Sequence, residues 1–331
     1  METVYWQVDP GQPSERIIEE AAALIRAGEL VAFPTETVYG LGADAFSPTA
    51  VEKIYAAKNR PPINPMLIHI ARFDQVKQIT AQVSATAQLL MEHFWPGPLS
   101  LILPAGPDVP DIVTAHRLGV GLRMPSHPVA IALINRTGPL AAPSANLSGR
   151  PSPTTAQHVK DDLHGRIAAV LDAGATGLGI ESTVLDLTGS DVRLVRSGGI
   201  SRSQLESVLV QHIADSVADP GQSVHYQTAT QVLLADHSAM LESLVSQYLT
   251  QGKRVAVVHN NLSHLHKIDG VGVFKLNVDQ SGSDVYHIMR EAERQQIEVL
   301  IFAPIPGTAD GLTTAVIDRI CKASQEKTPR S

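Results

Sequence analysis

Leu30-Val31-Ala32-Phe33-Pro34-Thr35-Glu36-Thr37-Val38-Tyr39-Gly40-Leu41-Gly42 decides the fold class of this chain. The apolar run 30–33 is too short for a helix and reads as a buried strand that Pro34 ends. Two hydroxyls, a carboxylate and two glycines follow directly, a composition that suits either ligand contact at a strand's carboxyl end or a polar turn. Before the strand, residues 14–27 carry Ile17, Ile18, Ala21, Leu24 and Ile25 at helical spacing, with Gly28 as the stop. After it, Ser47-Pro48 supplies an N-cap and a first-turn proline for a helix to about Lys58. Helix, buried strand, polar loop, helix is the alternation of an α/β domain.

The same alternation continues outward. Residues 66–71, 99–103, 120–124, 139–142, 168–172, 183–187 and 193–195 read as strands, with helices at 84–94, 128–135 and 155–164. Ser201-Arg202-Ser203-Gln204 has the spacing of a capping box. Short-linked strands among helices predict a mixed, curved sheet. Polar and turn-forming residues dominate 214–230, which divides a domain at 1–213 from one at 231–331. The second domain follows a more regular βαβ order, with strands at 231–235, 254–258, 271–276 and 299–302 and helices at 238–251, 284–296 and 310–323, and so predicts a smaller, mainly parallel sheet.

Composition bounds the function. The chain has 331 residues, 44% of them hydrophobic, and a formal charge of −7. Residues 1–210 hold 16 basic and 20 acidic side chains, and residues 211–331 hold 10 and 13. An acidic balance in both parts argues against a broad nucleic-acid grip, which needs a basic field. The single cysteine, Cys321, leaves no disulfide framework and suits a reducing, cytoplasmic location. Met1–Trp6 lacks the basic flank and apolar stretch of a signal peptide, and no apolar run approaches the roughly 20 residues of a membrane span. Walker A, Gly-x-Gly-x-x-Gly, His-Glu-x-x-His and Gly-x-Ser-x-Gly patterns are all missing, and the His264/His266 pair has no further ligands near it in sequence.

One stretch runs against the acidic background. Lys53, Lys58, Arg60, Arg72 and Lys77 are opposed only by Asp74, and Lys58-Asn59-Arg60-Pro61-Pro62 leaves a helix for a proline-stiffened loop. Cations held there could clamp a phosphate, or could be solvated surface charges. Arg123 stands alone on an apolar strand, so it needs an anionic partner, either a ligand carboxylate or a structural ion pair. Ser144, Asn146 and Ser148 fill a loop after an apolar strand, and the glycine-rich 174–179 leads into Glu181-Ser182-Thr183 and then Arg196-Ser197-Gly198.

In this order and spacing these motifs resemble the Sua5/YrdC/YwlC family of threonylcarbamoyl-AMP synthases. The resemblance rests on Pro34–Gly42, Lys58-Asn59-Arg60-Pro61 with Asn64-Pro65 and His69, Arg123-Met124-Pro125, Pro143-Ser144-Ala145-Asn146 with Ser148-Gly149, Glu181-Ser182-Thr183 and Arg196-Ser197-Gly198. It implies a YrdC-like catalytic domain and, in the longer Sua5 form, a Rossmann-like carboxyl-terminal domain. It also implies a reaction in which L-threonine, bicarbonate and ATP, assisted by Mg²⁺, give threonylcarbamoyl-AMP and pyrophosphate. A separate tRNA threonylcarbamoyl transferase complex would then use the product. By the same resemblance Thr37, His69, Arg123, Ala142 and Ser182 would surround threonine. Arg60, Asn64, Ser144, Asn146, Ser152 and Arg196 would contact ATP, with Lys58 and Arg60 as the catalytic cations and Tyr226 closing over the nucleotide. The linker Asp219-Pro220-Gly221-Gln222-Ser223-Val224-His225-Tyr226 is one residue shorter than the family pattern and lacks its trailing proline. The rival readings are a non-catalytic RNA-binding module and a carbamoyl transferase of the hydrogenase-maturation type.

Overall fold

The computed structural model describes residues 2–215, 226–259, 270–279, 282–305 and 311–324. The chain divides into one unit of Met1–Ser148 with Ser152–Ser223 and another of Gly149–Pro151 with Val224–Ser331. The chain thus enters the second unit twice, which a single linker reading does not anticipate. Residues 216–225 of the expected linker, His225 among them, lie outside the described residues, as do His264 and His266. The ends of that linker are structured: Ala214–Asp215 is a short strand, and Tyr226–Thr230 belongs to the second unit.

In the first unit the strands are β1 (Val4–Gln7), β2 (Val31–Phe33), β3 (Gly40–Asp44), β4 (Leu67–His69), β5 (Leu99–Pro104), β6 (Gly119–Arg123), β7 (Leu140–Ala141), β8 (Ala169–Asp172), β9 (Thr183–Asp186), β10 (Arg193–Arg196) and β11 (Ala214–Asp215). They form one mixed sheet in the order β1-β8-β2-β3-β7-β4-β6-β5-β9-β10-β11. Strand alternation sorts the core onto two faces. Val31 and Phe33 join Ile18, Ile25, Leu133 and Ile134 from the helices Glu15–Arg26 and Pro128–Thr137. Ala32 faces the larger core, with Val51 and Ile54 of the helix Pro48–Lys58 and Leu101 and Leu122 of the central strands.

The structure corrects one reading. Gly40 and Gly42 do not line a ligand loop but lie within β3, opposite β2. A Cβ on Gly42 would come within 2.9 Å of the Phe33 ring, so this glycine makes room for an aromatic core residue. β1 and β11 went unread: β11 is two residues, and β1, with its end residues exposed and its middle ones half-buried, gains its pairing only from β8, far along the chain.

The second unit holds β12 (Gln231–Leu234), β13 (Val255–His259), β14 (Gly272–Lys275), a small antiparallel hairpin of β15 (Val278–Asp279) and β16 (Gly282–Ser283), and β17 (Val299–Phe302). The order β12-β17-β13-β14 is parallel throughout. Ala256 and Val257, Leu300 and Ile301 are all buried, as strands of a parallel sheet covered by helices should be.

Candidate active site

Strand register gathers the predicted residues of the first unit. His69 pairs with Arg123 at the carboxyl ends of the parallel β4 and β6. Antiparallel β5 starts beside the end of β6, parallel β9 starts beside β5, and Arg196 at the end of β10 sits opposite Val184 near the start of β9. Five strand ends therefore meet along one sheet edge, and the loop after β2 reaches it through Thr37.

Arg123 is held on three sides. Its Nε donates to Gly97 O at 3.2 Å and its Nη1 to Thr37 Oγ1 at 2.8 Å. Its Nη2 lies 2.7 Å from Glu36 Oε1, with the arginine side chain 4% exposed and the glutamate 16%. A structural ion pair is thus present, and the two sequence-level alternatives for Arg123 do not exclude each other. Thr35 Oγ1 lies 2.8 Å from Thr37 Oγ1 and donates to Val38 O, which stiffens the loop that presents Thr37. His69 is 4% exposed, and burial together with the adjacent Arg123 pushes its pKa down to about 3. It is a neutral imidazole, perpendicular to the Phe33 ring with centroids 6.3 Å apart. Buried Ala142 donates its N–H to Leu67 O.

The second group is built around Ser182. Its Oγ lies 2.7 Å from Ser100 Oγ and accepts from Arg196 Nη2 at 3.1 Å, while Arg196 Nε donates to Ser182 O. Gly198 packs so tightly on this backbone that a Cβ would lie 2.4 Å from Glu181 O, Ser182 C and Thr183 N. Its lack of a side chain permits this close backbone approach. Arg60 follows Asn59, which leaves the helix Pro48–Lys58 in the left-handed conformation that asparagine tolerates. Arg60 Nε donates to Asn64 O and Nη2 to Pro65 O, so Asn64 fixes Arg60 through its own main chain. Burial lowers the Arg60 pKa; Tyr55 opposes this, and Arg196 adds to it. Two guanidinium groups that oppose each other's charge define a place where an anion is favoured.

Lys58 ends the helix Pro48–Lys58. It is 1% exposed, and its Nζ donates to Ser144 O at 2.5 Å and Asn146 O at 2.6 Å. Ser148 N in turn donates to Lys58 O. The ammonium ties the 144–148 loop to the helix end. Ser152 Oγ donates to Glu181 Oε1 at 2.7 Å, and both side chains are buried. Tyr226 belongs to the second unit, where it is buried in a left-handed backbone conformation, stacked on Tyr286 at 5.1 Å with Arg319 over its ring. Gly97 and Ser100 were missed, because a glycine before a strand and a serine within one carry no signal of their own. Glu36 was visible as a loop carboxylate, but nothing in the sequence tied it to Arg123. Among the described residues there is no cluster of three or more metal-ligating side chains and no helix long and apolar enough to cross a membrane.

The first unit thus presents two anchored arginines, Arg123 and Arg196, at neighbouring strand ends of a mixed eleven-stranded sheet. The family model for Sua5, YciO and YrdC, described as "Telomere recombination", matches residues 23–198, and the model described as "Threonylcarbamoyl-AMP synthase, C-terminal domain" matches residues 200–325. The chain belongs to this Sua5/YciO/YrdC family. The Threonylcarbamoyl-AMP synthase of Bacillus subtilis is 40% identical, covering 98% of each chain. That of Pyrococcus abyssi is 38% identical, over 93% of this chain and 94% of the other. The structure of P. abyssi Sua5 complexed with L-threonine superposes with a TM-score of 0.90 at 36% identity, covering 97% of this chain and 98% of that one.

Proposed function

We propose that the protein is a threonylcarbamoyl-AMP synthase, a nucleotidyltransferase that converts L-threonine, bicarbonate and ATP into threonylcarbamoyl-AMP and pyrophosphate. Arg123 and Arg196, anchored separately at neighbouring strand ends, carry this reading, with Arg60 electrostatically coupled to Arg196. Full-length kinship with enzymes of that name supports it.

Bicarbonate supplies CO₂ with release of water, the amine of threonine takes it up as a carbamate and loses a proton to solvent, and a carbamate oxygen then attacks the α-phosphorus of ATP as pyrophosphate leaves. Arg123 pairs the threonine carboxylate, Thr37 and Ser182 offer hydroxyls, Ala142 an apolar wall and His69 a neutral imidazole. A neutral His69 adds no charge that would compete with Arg123 for the carboxylate. Arg60 and Arg196 oppose the charge of the phosphates, with Asn64, Ser144, Asn146 and Ser152 around the nucleotide, and the step is driven mainly by positioning and charge stabilisation. Lys58 supports it by fixing the 144–148 loop. Mg²⁺ comes with the triphosphate, as is usual for a cation that keeps several waters and one or two protein ligands. The product passes in the cytoplasm to a tRNA threonylcarbamoyl transferase complex. The acidic balance of the chain fits an enzyme that works upstream of the RNA and disfavours the RNA-binding module.

The test is pyrophosphate release from ATP in the presence of bicarbonate. Release should depend on L-threonine, and threonine-independent release refutes the reading. Arg123→Ala should raise the KM for threonine by about 30-fold or more, since it removes one partner of a buried charge pair.

A further inference from the structure

Glu36 is tied to Arg123 in an unusual way. Nη2 and Oε1 are both buried and 2.7 Å apart, yet their angle lies outside hydrogen-bond geometry, and neither atom has another partner among the described residues. The contact neutralises charge without satisfying the donor. The rest of Arg123 is fixed by Gly97 O and Thr37 Oγ1. Glu36 is the looser member: its side chain is four times as exposed, and among the described residues its other oxygen is held only by Ser126 N, at 3.1 Å.

We propose that Glu36 is a built-in competitor for the substrate's carboxylate seat on Arg123, a specificity-determining residue that the amino acid must displace in order to bind. The proposal rests on the reading that Arg123 receives the threonine carboxylate. Two carboxylates cannot share one end of a guanidinium group without repelling each other. The arriving carboxylate can align with the Nη2 donors as Glu36 does not, and of the two anchored partners only Glu36 is free to leave. Its way out lies toward Ser126 and His127, where it already bonds the Ser126 N–H. A ligand without a carboxylate leaves the pair closed, so the exchange selects for an α-carboxylate. Empty enzyme meanwhile keeps Arg123 neutralised and in place.

The test is threonine binding by calorimetry to wild type, Glu36→Gln, Arg123→Ala and the double variant, with the KM for ATP measured alongside. Glu36→Gln should bind threonine at least about fivefold more tightly, because the like charge at the seat is gone. The KM for ATP should stay unchanged, which a general structural defect would not allow, and the gain should vanish in the Arg123→Ala background. Equal or weaker binding by Glu36→Gln, while Arg123→Ala still weakens it, overturns the competitor role alone. Unchanged binding by Arg123→Ala removes the seat and the competitor together. Should Glu36→Gln fail to fold, a structure of wild type with L-threonine decides: Glu36 should stand more than about 4 Å from the Arg123 guanidinium, beyond ion-pair distance, and a retained contact overturns the proposal.

Discussion

Lys58→Met separates a cation that touches substrate from one that holds a loop. Methionine keeps the unbranched stem of lysine and deletes the ammonium, which leaves Ser144 O and Asn146 O without the donor now 2.5 and 2.6 Å away. A buried carbonyl that loses its partner costs about 1–3 kcal/mol, and removing a desolvated ammonium returns part of that, so the net loss should be about 2–4 kcal/mol. Both tryptophans, Trp6 and Trp95, lie in the first unit, so their fluorescence during urea unfolding reports on that unit. The midpoint should fall by about 1–2 M for an m-value near 2 kcal/mol/M, with the slope unchanged. Activity should decline through a higher KM for ATP as the 144–148 loop loosens. A variant within about 0.5 kcal/mol of wild type that has lost turnover would refute the argument, because Lys58 would then act on the substrate directly.

Other perturbations probe the remaining parts. Arg60→Ala should raise the KM for ATP while leaving threonine binding by calorimetry within about twofold, whereas Arg196→Ala should raise the KM for ATP and also weaken threonine binding, because Arg196 holds both the hydroxyl and the carbonyl of Ser182. Gly198→Ala should lower the thermal midpoint and cut activity, because its Cβ would lie 2.4 Å from the Glu181–Thr183 backbone; overpacking of this kind costs about 1–3 kcal/mol or more. His69 has its folded-state pKa lowered to about 3 from 6.5, so the unfolded chain binds the proton first and stability is lost as pH falls through that interval. Urea midpoints between pH 7 and 4 should show a slope of up to about 1.4 kcal/mol per pH unit that His69→Gln lacks.

Much of this was legible because local signals and tertiary needs agreed. Ser47 caps its helix by accepting from Ala50 N, and Ser201 and Gln204 exchange the two bonds of a capping box. Arg123 stood out because a lone cation on an apolar strand must be paired. What stayed hidden depends on contacts distant in sequence. The Glu36–Arg123 pair, the Ser100–Ser182 contact and the two carbonyls held by Lys58 each link residues more than 80 positions apart. Glycine misled for a related reason. At 40, 42 and 198 its purpose is set by the neighbour that fills the space a side chain would take, Phe33 in one place and the 181–183 backbone in the other.

The outer strands of the first sheet carry a consequence for how the protein is made. Among the described residues β1 pairs only with β8, through Val4↔Ala169 to Gln7↔Asp172, and β8 has β2 on its other side. A chain emerging from the ribosome must therefore hold its first strand in reserve until more than 160 further residues have been synthesised. Closing so large a loop is slow, and pairing of such low locality sets the pace of folding. The edge that carries Thr37, Arg123, Ser182 and Arg196 is complete only after β9 and β10 have formed, so a nascent chain that stops short of Arg196 cannot sequester threonine or ATP.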